Sequence, residues 1–185
     1  AILGGFIAPL LLSKGSGNYI VLFTYITILI SGMLILAYYK KWRIVDVVSY
    51  VFTIIIFSTW LTKKVLGEVH APYVGALCYA TIFYLLFFLM NIANNIKENK
   101  KFIAFDVSFL LSNTFLYFSA GMGILHYIHG GIYQGFFTAL IAVFNLVFTF
   151  VLFKYKKADP YLLYLLIGIV LTFISLAAPI QLEGN

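Results

Sequence analysis

The sequence predicts an all-α membrane protein: a polytopic bundle of transmembrane helices arranged as repeated helical hairpins. Three observations carry this. The 185 residues are 63% hydrophobic and 19% aromatic, with a mean hydropathy of +1.04. Only 10% are charged, against about 25% in an ordinary soluble domain. Those charges fall in short clusters separated by apolar runs of about 20 residues, the length a helix needs to cross a ~30 Å hydrocarbon core. A water-soluble globule of this size could not cover so much apolar surface. The composition therefore excludes a cytosolic enzyme, a disordered tail and a free nucleic-acid-binding domain. The net charge of +6 reads as membrane topology, with no nucleic acid among the expected partners.

The spans follow in order. Residues 1–12 (AILGGFIAPLLL) lack a basic n-region, so they read as the end of a truncated span and not as a signal peptide. Tyr19–Tyr39 is an uncharged run, Ile44–Thr62 carries only Asp46, and Tyr73–Ile92 is uncharged. Phe102–Phe153 carries one formal charge, Asp106, and is long enough for two spans. Gly121, Gly123, His126, His129, Gly130 and Gly131 predict a turn near 124–131. Tyr161–Ile180 is the last run, opened by Pro160 at a favoured first-turn position. This makes six full spans and one truncated span in a single transmembrane region. Backbone groups in lipid must be satisfied within each segment, which makes the spans helices. Barrel strands would alternate over about ten residues, and these runs do not.

Loop charge sets an expected orientation. Lys40, Lys41 and Arg43, then Lys97, Lys100 and Lys101, then Lys154, Lys156 and Lys157 lie on one side; Lys14, Lys63 and Lys64 lie on the other. The richer side is expected in the cytoplasm. Aromatics mark both interfaces: Tyr38, Tyr39, Trp42 and Tyr155 inside, and Tyr19, Trp60, Tyr73 and Tyr127 outside. The single Cys78 reads as a buried structural thiol.

KKWRIVDV (Lys40–Val47) and KKFIAFDV (Lys100–Val107) share a K-K-aromatic-x-x-x-D-V pattern sixty residues apart. The repeating unit would be a helical hairpin. Since each unit has two spans, successive copies keep one orientation and form a parallel repeat. APLLLSKGSGN (Ala8–Asn18) and APIQLEGN (Ala178–Asn185) also resemble each other, which points to a piece of a longer array.

The candidate polar sites are few. Asp46 and Asp106 each lie about one and a half turns into a span. They can serve as N-terminal caps, favoured there by the helix dipole, or as a proton or cation site. Arg43 is placed to pair with Asp46. Asn113 and Asn145 fall near the middle of neighbouring spans. There an amide acts as packing glue, Asn113 with Asn145 or Ser112, or lines a polar route. On the outer face, His126, His129 and Glu68 are the candidates. Zinc needs three or four protein ligands; Glu68 and His70, on another outward loop, could complete a set with the histidines, but the expected reading is a wet loop with an aromatic interface anchor, and no metal is expected. No cofactor motif, Ser-His-Asp set, HExxH or phosphate loop is visible, and nothing argues for an enzyme.

GGFIAPLLLSKGSGN, LFTYITILISGMLILAYYKKWR, FSTW and LAAPIQLEGN together resemble a family of bacterial predicted membrane proteins, domain of unknown function 2339. The family positions correspond to Gly4, Gly5, Phe6, Pro9, Leu10, Tyr25, Trp42, Arg43, Trp60 and Pro179, with Ser31 standing where the family tends to have Asn. The resemblance implies part of a longer, multi-span protein of the bacterial inner membrane, and it implies no reaction. The function this supports is a non-enzymatic scaffold or transport-related subunit. Its partners would be the bilayer and the rest of its own chain or other membrane subunits. Two alternatives stand beside it. One is a transporter or channel with a polar route near Asp106, Asn113 and Asn145. The other is a membrane enzyme acting on lipid or envelope glycan at the outer face.

Overall fold

The computed structural model describes residues 18–40, 43–68, 70–97, 103–155 and 160–183. Among them are six long helices and no strand: α1 (Tyr19–Lys40), α2 (Arg43–Lys64), α3 (Tyr73–Lys97), α4 (Ala104–His126), α5 (Gln134–Lys154) and α6 (Pro160–Glu183). All six are long and apolar enough to cross a membrane. The chain is an integral membrane protein. The expected truncated span, Trp42 and the basic residues Lys14, Lys41, Lys100, Lys101, Lys156 and Lys157 lie outside the described residues.

The helices run past the apolar windows that announce them. α3 reaches Lys97 and α2 reaches Lys64. A charge ends a hydropathy window, but lysine is a good helix former and does not end a helix. The expected turn lies at 127–133, around a short 3₁₀ segment, His129–Gly131. Gly130 and Gly131 take φ of 67° and 91°, a left-handed backbone that glycine adopts without a Cβ clash.

Contacts at the helix ends fix an up-and-down arrangement. Tyr19, opening α1, stacks on Trp60 near the end of α2, with ring centroids 5.3 Å apart. Tyr73, opening α3, stacks on Tyr127, just beyond α4, at 5.7 Å. Gln134, opening α5, donates from Nε2 to the Met122 carbonyl of α4 at 2.9 Å. Gln181, near the end of α6, donates to the Ile132 carbonyl at 3.2 Å. One end of the bundle thus gathers Tyr19, Lys64, Tyr73, His126 and Gln134.

α3 is the hub. Ala76, Ala80, Phe83 and Phe87 face α1 and α2 in one buried cluster, while Tyr84 and Phe88 face α4, α5 and α6 in another. On the first side Phe23 contacts Phe57, Trp60 and Phe83 edge-on, geometries that add to simple burial. On the second side α5 and α6 form the most extensive helix pair. Gly135, Thr138, Ala142, Asn145, Thr149 and Leu152 are all buried on α5. They recur in alternating steps of three and four, the spacing of a left-handed helix seam. Small residues let the backbones approach where lipid offers no hydrophobic drive to associate. At Gly135 a Cβ would lie 2.8 Å from Cα of Gln181. The opposite faces, including Ile28, Val143, Phe150 and Leu171, are exposed and apolar, as a lipid-facing surface must be.

Candidate functional site

Asp46 and Asp106 are both buried near the first turns of α2 and α4. Oδ2 of Asp106 accepts from the backbone N–H of Ile103 at 3.1 Å. This is the reciprocal half of a capping box: the side chain of the third helical residue reaches back to the residue that precedes the helix. The carbonyl of Asp106 accepts from Asn91 Nδ2 of α3 at 3.0 Å, which ties the neighbouring helix to the same corner. The Arg43 side chain, expected to pair with Asp46, lies outside the described ones.

The middle of the bundle holds a polar layer. Tyr84 and Asn145 are each eleven residues from the start of α3 and α5, and Asn113 and Thr114 are twelve or thirteen from the end of α4. At ~1.5 Å per residue all four sit some 16–20 Å from the same end. Asn113 donates from Nδ2 to the Tyr84 carbonyl at 3.0 Å. Asn145 donates to the carbonyl of Ile141, one turn back in its own helix, at 2.9 Å. The expected pairing of Asn113 with Asn145 or Ser112 therefore does not form. Backbone carbonyls, each with a second lone pair, lie closer to hand than another side chain. Ser112 is taken instead by the hydroxyl of Tyr50, at 3.0 Å across to α2. The Tyr84 hydroxyl is buried against Thr114 and Asn145 but closes no hydrogen bond. Its ring stacks on Tyr117 at 4.4 Å.

A cavity of about 90 Å³ lies between α2, α3 and α4. Ile54, Phe57, Leu61, Phe83, Phe87 and Leu116 make its walls. Of the intramembrane candidates only Asn113 lines it; Asp46, Asp106 and Asn145 do not. Three further hydroxyls on the wall are engaged within the protein, whereas that of Tyr84, also on the wall, is not. Thr53 bonds the Ser49 carbonyl, Ser58 the Ile54 carbonyl, and Tyr117 the hydroxyl of Thr81. The polar candidates therefore do not converge on this cavity.

At the Lys64 end, Glu68, His70 and His126 are exposed. The ring of His126 meets the edge of Tyr127 at 5.3 Å, and the Glu68 carbonyl accepts from the Tyr73 hydroxyl at 2.7 Å. The His129 side chain lies outside the described ones. Among the described residues, no three His, Cys, Asp or Glu side chains gather as metal ligands. Cys78, expected to be buried, is exposed on α3. The apolar run around it reads identically for core and for lipid contact. The cavity is what sequence reading missed, since its lining comes from three helices and only the tertiary contacts bring those together.

A family model described as Predicted membrane protein (DUF2339) matches residues 1–185. No curated protein and no solved structure matches the chain.

Proposed function

The chain belongs to that family of predicted membrane proteins, and we propose that it serves as a non-enzymatic helical scaffold, or transport-related subunit, of a bacterial inner membrane. The observation that carries the reading is where the intramembrane polar groups spend their hydrogen bonds. Asn91, Asn113 and Asn145 each donate to a backbone carbonyl, and Asp106 accepts from the backbone ahead of its own helix. Asn91 and Asn113 thereby tie α3 to α4, while Asn145 and Asp106 are spent on the backbone of their own helices. A conducting route needs such groups turned toward water instead. In this reading the Lys40–Arg43, Lys97–Lys101 and Lys154–Lys157 turns are cytoplasmic, and Asp46 and Asp106 are caps. The partners are further helices of a longer chain or other membrane subunits.

The test is ion and proton flux in proteoliposomes. A scaffold gives leakage equal to protein-free vesicles. Flux above that level that disappears in Asp106→Asn or Asn113→Ala would replace the scaffold with a transporter.

A further inference from the structure

The cavity between α2, α3 and α4 is an apolar trough of about 90 Å³, open on one side, in which part of a lipid chain would be seated while the rest lies against the bilayer. Its lining runs along α2 from Tyr50 to Leu61, eleven residues and about 16 Å of helix axis. That is about half of a ~30 Å hydrocarbon core, the depth of a single leaflet. Two joints between α2 and α4 bound it. The deep end is closed by the Tyr50–Ser112 hydrogen bond and by the Tyr50 ring on Phe109, 4.5 Å away. At the other end Leu66, just past α2, packs against Gly123 of α4. Between them Ser58 and Leu116 are exposed, so the opening faces sideways into the bilayer. The hydroxyls of Tyr50, Thr53, Ser58 and Tyr117 and the amide of Asn113 already have partners inside the protein. The wall therefore offers little to a polar guest, which would lose its hydration without replacement. The hydroxyl of Tyr84 is buried beside Thr114 of α4 and Asn145 of α5. Lys64 follows Tyr50, Ile54, Phe57 and Leu61 in steps of four and three along one helical stripe, and both Lys63 and Lys64 are exposed at its end.

We propose that this groove binds one acyl chain of an anionic phospholipid from the leaflet at the Lys64 end, with the phosphate beside Lys63 and Lys64. The terminal methyl reaches the Tyr50–Ser112 floor, the chain lies against Phe57 and Phe83, and the lysines supply the charge that favours an anionic headgroup.

The experiment reconstitutes the protein in nanodiscs doped with phosphatidylglycerol carrying a diazirine near the end of one acyl chain. Photolysis is followed by mass-spectrometric mapping. Adducts are expected to concentrate on Thr53, Ile54 and Leu116, within about one turn of the floor, over the lipid-facing control Phe150. Ala120→Phe and Ser58→Phe fill the groove from opposite walls, so that one misfolded variant does not decide the matter. Each is expected to lower groove adducts by about tenfold, the loss that follows when roughly two methylenes lose their burial, with Phe150 adducts unchanged. Lys63→Gln with Lys64→Gln is expected to remove the preference for phosphatidylglycerol over a phosphatidylcholine probe. Groove labelling no higher than at Phe150, labelling insensitive to both filling variants, or equal labelling by the two headgroups in the unaltered protein would each overturn the proposal.

Discussion

Asn113 of α4 donates from Nδ2 to the carbonyl of Tyr84 on α3, at 3.0 Å, with both residues buried midway along their helices. This bond links the hub helix to the second half of the bundle, where apolar packing against lipid-like side chains gives little preference for one register over another. Asn113→Leu removes the bond while keeping the branched skeleton of the side chain. The expected cost is about 0.6 kcal/mol and no more than about 1.7, the average and the maximum for interhelical hydrogen bonds in bilayers. Steric-trap unfolding in bicelles measures it, and an unchanged stability would show the bond to be incidental.

Tyr84→Phe is expected to go the other way. Its hydroxyl is buried without a hydrogen bond, and an unsatisfied polar group in an apolar setting is a cost that the phenyl ring avoids. The same unfolding assay should find the variant as stable as the parent, or more stable by up to about 1 kcal/mol. A clear loss would mean that Thr114 or Asn145 bonds the hydroxyl in the membrane.

Gly121 and Gly135 separate two kinds of close contact. A Cβ at Gly121 would overlap the ring of Phe137, while at Gly135 it would meet the backbone of Gln181. Both Gly→Ala substitutions are expected to destabilise, by about 1–3 kcal/mol. Phe137→Leu should rescue Gly121→Ala, because a smaller side chain makes room. Gln181→Ala should not rescue Gly135→Ala, because the obstructing Cα remains. Thermal melting in detergent of the four combinations checks both statements.

Asp106 offers a test of cap against proton site. Its Oδ2 accepts from the N–H of Ile103, and an asparagine carbonyl can do the same. Asp106→Asn should cost only a few tenths of a kcal/mol and Asp106→Ala about 0.5–2 kcal/mol, the usual value of an N-terminal helix cap. Equal losses in the two variants would contradict the capping role.

Much of this architecture is legible in the sequence because charge is so rare. Lys40, Lys64, Lys97 and Lys154 each close a helix that hydropathy alone delimits to within a few residues. The paired glycines Gly130 and Gly131 mark the turn between α4 and α5 by their left-handed backbone. Lateral arrangement is not legible. The apolar residues of α3 spread over two buried faces, so no single stripe announces the hub. Asn113 finds a carbonyl on another helix and Asn145 one on its own, a difference that depends on interhelical distance and not on residue type. The groove has the same origin. Tyr50, Phe83 and Leu116 carry no shared pattern, and only the packing of three helices brings them to one wall.

The central claim is that six helices cross the bilayer alternately, with the lysine-rich turns on the cytoplasmic side. Single cysteines at Glu68, Ile103, Tyr133 and Tyr155, in a Cys78→Ser background, test it with a membrane-impermeant maleimide on intact spheroplasts. Glu68→Cys and Tyr133→Cys should label from outside, and Ile103→Cys and Tyr155→Cys only after permeabilisation. The reverse pattern would contradict the orientation, and labelling of all four from one side would contradict the alternating spans themselves.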